Sequence, residues 1–226
     1  MNAARTRSFR YAMRGLAALC AIGLLAACDK PESAGASAGA AQQAQSPCLY
    51  PRTNATAGLS ESDEALLAAA AAGDLRGAGQ SLEQGANVNA VGSLKRTPLF
   101  VAAFCDRPQL VKLLLDKGGK HDVTDSNGMS PLHAAVVIGG IETARILVAS
   151  GANINSRDTA GRTALHVAAA TNQVSLVELL LEGKANIAIR DKNGMTAASL
   201  ARDNGHSTPG VAIKQWQEKQ KTPRPK

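Results

Sequence analysis

The 226-residue chain is 45% hydrophobic but only 3% aromatic, and its 25 Lys and Arg against 18 Asp and Glu give a formal net charge of +7. The basic excess sits at the ends. Arg5, Arg7, Arg10 and Arg14 face no acid in residues 1–27, and residues 213–226 hold Lys214, Lys219, Lys221, Arg224 and Lys226 against Glu218 alone, so residues 28–212 carry one net negative charge. A body so balanced gives no electrostatic footprint for nucleic acid, and the length suits one elongated domain or one compact domain with tails.

Residues 1–27 have the layout of a signal peptide: a basic start, then the apolar run "GLAALCAIGLLAA" from Gly15. The run is shorter than the roughly 17–25 apolar residues of a transmembrane helix. It ends at Leu25-Ala26-Ala27-Cys28, which resembles the lipobox of bacterial lipoproteins. The resemblance implies cleavage before Cys28, a diacylglyceryl group on its thiol and an acylated amino terminus (palmitate among the usual chains). It further implies a lipid-anchored protein of the bacterial envelope that faces the periplasm. Asp29 resembles the inner-membrane retention signal of enteric bacteria and slightly favours that membrane. The competing reading is a secreted protein with a chance cysteine after its signal.

Residues 28–58 read as the lipidated cysteine and a flexible tether, since "PESAGASAGAAQQAQSP" buries too little apolar surface to fold. Beyond Cys28 only Cys48 and Cys105 remain. Export permits a disulfide between them; closing that loop of 57 residues would stabilise by roughly 4 kcal/mol less any strain. Two free thiols are the alternative.

From residue 62 a period of 33 takes over. "RTPLFVAAFC" from Arg96, "MSPLHAAVVI" from Met129, "RTALHVAAAT" from Arg162 and "MTAASLARDN" from Met195 align without gaps, and Asp125, Asp158 and Asp191 recur at the same spacing. Such a period marks stacked repeats. Thr97, Ser130, Thr163 and Thr196 are placed to cap helices, with Pro98 and Pro131 at the first helical position. Pairs of alanines follow, then second helices through Leu113, Ile146 and Leu179, ended by Gly118, Gly151 and Gly183. Asn127-Gly128 and Asn193-Gly194 mark hairpin turns.

"SPLHAA", "TALHVAA", "GANVN" and "GANIN" resemble the ankyrin repeat. The implied fold is an all-α repeat solenoid: helix-turn-helix units with β-turn fingers, about three full repeats and a degenerate capping repeat at each end. The units are about 62–91, 92–124, 125–157, 158–190 and 191–216, within a repeat domain over 59–216, and residues 217–226 read as a basic disordered tail. Trp216 is placed to cover the last unit. Lys95 stands in the turn-glycine phase, Phe100 in the histidine phase and Lys184 in the glycine phase of the third repeat.

No catalytic site is expected, since no phosphate loop or nucleophile elbow occurs. His133 and His166 lie one repeat apart, roughly 10 Å by helix packing, too far to share a metal ion with ~2 Å ligands; the resemblance gives them backbone hydrogen bonds at the turns. The three periodic aspartates serve the fingers. No metal or cofactor is expected.

What the resemblance implies instead is a concave protein-binding face built from fingers and inner helices. The matching residues are Arg96, Phe104, Met129, Val137, Ile138, Arg157, Arg162, Arg190 and Lys192, an apolar strip (Phe104, Val137, Ile138) beside a basic edge. The expected partner is a protein with an acidic surface; membrane contact is through the lipid anchor, with weak contact of the basic tail to anionic headgroups a minor alternative. The alternative function is an immunity or inhibitor protein that neutralises a toxin or an envelope enzyme. A peptidoglycan-binding role ranks lower, because no aromatic sugar platform lies on this face.

Overall fold

The computed structural model describes residues 58–221; Cys28, Asp29, Cys48, the signal segment and most of the tether lie outside that range. Among the described residues there are ten α-helices and no strand: α1 Glu61–Ala72, α2 Leu75–Glu83, α3 Pro98–Phe104, α4 Pro108–Asp116, α5 Pro131–Ile138, α6 Ile141–Ala149, α7 Ala164–Ala170, α8 Val174–Glu182, α9 Ala197–Asp203 and α10 Ser207–Lys221. The odd-numbered helices pack in one row, each on the next, and the even-numbered helices form a second row behind them. This is the helical repeat solenoid that the resemblance implied.

The core explains the period. Leu66, Leu99, Leu132 and Leu165, each 33 residues apart, are almost fully buried along the inner row. Leu114, Leu147, Leu180 and Ile213 make a parallel line in the outer row, and Ser81 opens it at the amino-terminal end. On the inner helices, Ala102, Ala135, Ala168 and Ala201 have no exposed surface. A methyl group there lets adjacent inner helices approach closely, and a larger side chain would force them apart. The end of the outer row is covered by α10, whose Ile213 is buried and whose Trp216 packs partly buried against the core.

Helix starts follow the sequence. Ser60, Thr97, Ser130 and Thr196 are N-caps that accept backbone N–H bonds, with Pro98 and Pro131 inside the first turn. Helix ends hold a correction. Gly85, Gly118 and Gly151 take left-handed backbone after the outer helices, but in the third repeat that position is Lys184, at φ 66°. Gly183 closes α8 at φ −71° and ψ 7° and does not supply the left-handed residue. It is small for another reason: a Cβ there would stand 2.6 Å from Ile154 Cδ1.

A second boundary also moves. α10 continues through Lys221, so residues 217–221 extend the last helix rather than belong to a disordered tail; packing of α10 on α8 carries the helix past Trp216. No described helix is long and apolar enough to cross a membrane.

Candidate functional site

The fingers are short hairpins, and the periodic aspartates build them. In each, the Asp N–H bonds the carbonyl four residues on: Asp125 to Met129, Asp158 to Arg162, Asp191 to Met195, at 2.8–2.9 Å. The buried carboxylate closes the inside of the turn. Asp158 Oδ1 accepts from Ala160 N (2.9 Å) and Arg162 N (2.8 Å). Asp125 does the same for Asn127 and Met129, and Asp191 for Asn193 and Met195. Gly128, Gly161 and Gly194 supply the positive φ that ends each turn. Neighbouring fingers are stitched by Ser126 N to Leu94 O, Thr159 N to Asn127 O and Lys192 N to Ala160 O.

The first finger departs where Lys95 suggested it would. Gly92 stands in the aspartate phase, and Leu94 and Lys95 both sit at φ 58°. With Arg96 N bonded to Ser93 O, this is a two-residue turn of the mirror-image type, one residue later along the chain than in the other fingers.

His133 and His166 are struts between repeats. Each Nδ1 faces its own cap, Ser130 or Thr163, at 2.9 Å to the hydroxyl and within 3.3 Å of the backbone nitrogen. A backbone N–H can only donate, so Nδ1 is the acceptor and Nε2 carries the proton. Nε2 then donates to Arg162 O and Met195 O, both at 3.1 Å. Burial holds both imidazoles below the ordinary histidine range, against the opposing hydrogen bonds and nearby aspartates. Both ring nitrogens are used, which leaves no lone pair for a metal. Among the described residues no group of three potential ligands converges.

Phe100 occupies the histidine position of the first full repeat, and its ring cannot make these bonds. Arg96 takes over. Its guanidinium carbon lies 5.2 Å from the centroids of both Phe100 and Phe104, whose rings stack at 6.4 Å, a cation–π contact with both. Its Nε is 3.8 Å from Asp125 Oδ2 in the next finger.

The expected basic edge divides in two. Arg162 spends its charge on Asp158, with Nε and Nη2 at 2.9 and 2.8 Å from Oδ2, and Arg96 is sheltered over the phenylalanines. Arg157, Arg190 and Lys192 are exposed. Arg157 donates to Gly161 O (3.1 Å) and Arg190 O (2.6 Å), and Arg190 donates to Gly194 O (2.8 Å). Each arginine is thereby held in place with donors still facing solvent. The apolar strip divides as well. Phe104, Val137 and Met129 are partly buried against the core, whereas Ile138 is 51% exposed.

Sequence reading missed two features here and left a third, the bonding of Cys105, open between a disulfide and a free thiol. Ile141, at the start of α6, is an exposed apolar neighbour of Ile138 across Gly139-Gly140; an isoleucine beginning a helix after two glycines was the available signal. Asp106 accepts from the buried Thr143 hydroxyl at 2.6 Å and locks the first full repeat to the second. Cys105, at the end of α3, is disulfide-bonded, its partner lying outside the described residues.

Comparison with known families agrees with this architecture. The family model described as "Ankyrin repeats (3 copies)" matches residues 66–158 and again 151–209. A search of curated proteins found no match. Ankyrin repeats suggest a protein–protein interaction module, and proteins built from them are typically not enzymes. With the family model covering more than half its length, the chain belongs to the ankyrin-repeat proteins.

Proposed function

We propose that this protein is a lipid-anchored interaction module of the bacterial envelope, held through Cys28 and gripping an acidic protein surface with its finger edge. The supporting observation is the row of exposed cations on the third and fourth fingers. Arg157 and Arg190 repeat at 33 residues and each is fixed by hydrogen bonds to finger carbonyls, with Lys192 exposed beside Arg190. Cations ordered before binding lose less side-chain entropy on capture, and their field steers an acidic partner and makes the association salt-sensitive. Arg96 and Arg162 contribute less, because buried aspartates already face them. Leu25 to Cys28 supports the anchor, and Asp29 the inner membrane.

The test is crosslinking and pull-down from intact envelopes, with the full lipoprotein beside Arg190→Glu/Lys192→Glu. A partner captured by the first, lost with the variant and weakened by salt supports the reading. Equal capture by a folded variant refutes the finger edge. Incorporation of labelled palmitate that persists after Cys28→Ser refutes the anchor separately.

A further inference from the structure

Asparagine followed by glycine is open to attack on itself, because glycine has no Cβ to keep its nitrogen away from the asparagine side chain. The chain holds three such pairs: Asn127-Gly128, Asn193-Gly194 and Asn204-Gly205. Two of them are finger tips built alike. The glycine N–H donates to the carbonyl of the finger aspartate at 3.0 Å, Gly128 to Asp125 and Gly194 to Asp191. The asparagine N–H donates to the same aspartate's Oδ1, at 2.8 Å in the second finger and 2.9 Å in the fourth.

The fold treats the three pairs differently. Asn127 is fastened from outside by the third finger: Thr159 N–H donates to Asn127 O at 3.0 Å, and a Cβ on Gly128 would stand 3.0 Å from that same nitrogen. Asn204 is half-buried, and its side-chain Nδ2 donates to Ala170 O at 3.2 Å. Asn193 lies in the last described finger. Its carbonyl accepts no backbone bond among the described residues, both it and Gly194 are exposed, and a Cβ on Gly194 would meet nothing within 4 Å. This least fastened tip is also the charged one, with Lys192 exposed before it and Arg190 Nη1 donating to Gly194 O at 2.8 Å.

We propose that Asn193 is a self-modification site: it deamidates through attack by Gly194 N, and the resulting carboxylate weakens the basic finger edge. Gly194 N loses its proton to water and bonds to Asn193 Cγ; the Cγ–Nδ2 bond breaks and ammonia leaves. Water then opens the cyclic imide at either carbonyl, giving aspartate or isoaspartate. One water is consumed for each ammonia released, and no electrons are exchanged. The cations of Arg190 and Lys192 favour both the deprotonated nitrogen and the new carboxylate. Opening the fourth finger breaks one stitch fewer than opening the second, and a hydrogen bond of ordinary net worth corresponds to a rate ratio of roughly two- to tenfold. The new charge repels an acidic partner, and one unit charge at contact distance in salt water changes affinity by about two- to fivefold. The site stands independently of the proposed partner; only its effect on capture rests on that reading.

The experiment holds the full chain at neutral pH and physiological temperature, with a parallel sample in urea. The three Asn-Gly peptides are followed by mass spectrometry and isoaspartate labelling. Expected is conversion of Asn193 roughly two- to tenfold ahead of Asn127 and Asn204 in the folded protein, with the three rates converging in urea. Conversion of Asn193 no faster than that of Asn127, or the same ranking in urea, overturns the site. Binding to poly-glutamate then compares the native chain with Asn193→Asp, a change on an exposed tip that keeps Gly194 and the Asp191 clamp. Binding about two- to fivefold weaker in the variant supports the effect on the edge; equal binding by both overturns that effect and leaves the site. If the native chain does not bind poly-glutamate while Asn193 converts as expected, the basic-edge reading falls together with the effect on it, and the modification site holds.

Discussion

Replacing Lys184 with glycine should stabilise the domain. Lys184 holds φ 66° after α8, where Gly85, Gly118 and Gly151 hold 86–89° after α2, α4 and α6. A side chain in left-handed backbone costs roughly 1–2 kcal/mol, and glycine returns part of that, about 0.4–1 kcal/mol, through its freer unfolded chain. The exposed Lys184 makes no ion pair among the described residues, so little else is lost. The balance is a gain of about 0.5–1 kcal/mol, a rise of roughly 1–4 °C in melting temperature for a domain of this size. Urea denaturation followed by circular dichroism measures it, with Gly183→Ala in parallel. That substitution puts a Cβ 2.6 Å from Ile154 Cδ1 and 3.1 Å from Val148 Cγ1, and should cost up to about 1–3 kcal/mol by overpacking. If Gly183 were the left-handed cap, Lys184→Gly would destabilise instead, by the roughly 0.5–1 kcal/mol that glycine costs in an ordinary position. A loss of that size refutes the reasoning.

Two other perturbations test the finger and strut chemistry. Asp158→Ala removes the acceptor of two backbone N–H groups and of the Arg162 guanidinium. Because Arg162 keeps some exposure to water, the loss should be about 2–3 kcal/mol rather than the upper range for a buried pair, read from denaturation midpoints; a loss below half a unit would contradict the clamp. The histidines set a pH dependence. With folded pKa values of His133 and His166 held below 6.5 by burial, the unfolded chain binds more protons between those values and 6.5. Stability is therefore full above 6.5 and falls as pH drops through that window, by at most about 1.4 kcal/mol per histidine per pH unit. Denaturation at pH 7.5, 6 and 5 should show the fall in the native sequence and a flatter profile in His133→Gln/His166→Gln; an unchanged slope in the double variant would reassign the effect.

How far the sequence carried the fold depended on whether a residue's role was local. The caps at Thr97, Ser130 and Thr196, the leucine lines at 33-residue spacing and the finger aspartates follow from the chain neighbours and the period alone, and the fold bears them out. Gly183 misled because residue type and repeat phase disagreed by one position; phase won, since the stacking of α8 on α6 fixes where the chain must turn and Lys184 bears the strain. The binding face was less legible for the opposite reason. Arginines are alike in a sequence, and what separates Arg162 from Arg157 is whether the carboxylate four residues earlier, Asp158, is within reach of the guanidinium (2.8 Å); Arg157 instead reaches the carbonyls of Gly161 and Arg190. Arg96 shows the same dependence on three dimensions. Its repeat lacks both the aspartate, replaced by Gly92, and the histidine, replaced by Phe100, so one side chain stacks on the second and leans toward the Asp125 of the following finger. Two substitutions that read separately as departures from a pattern are one compensation in the folded repeat. The charge of Arg96 is thereby drawn inward, which leaves the exposed part of the basic edge to residues 157–192.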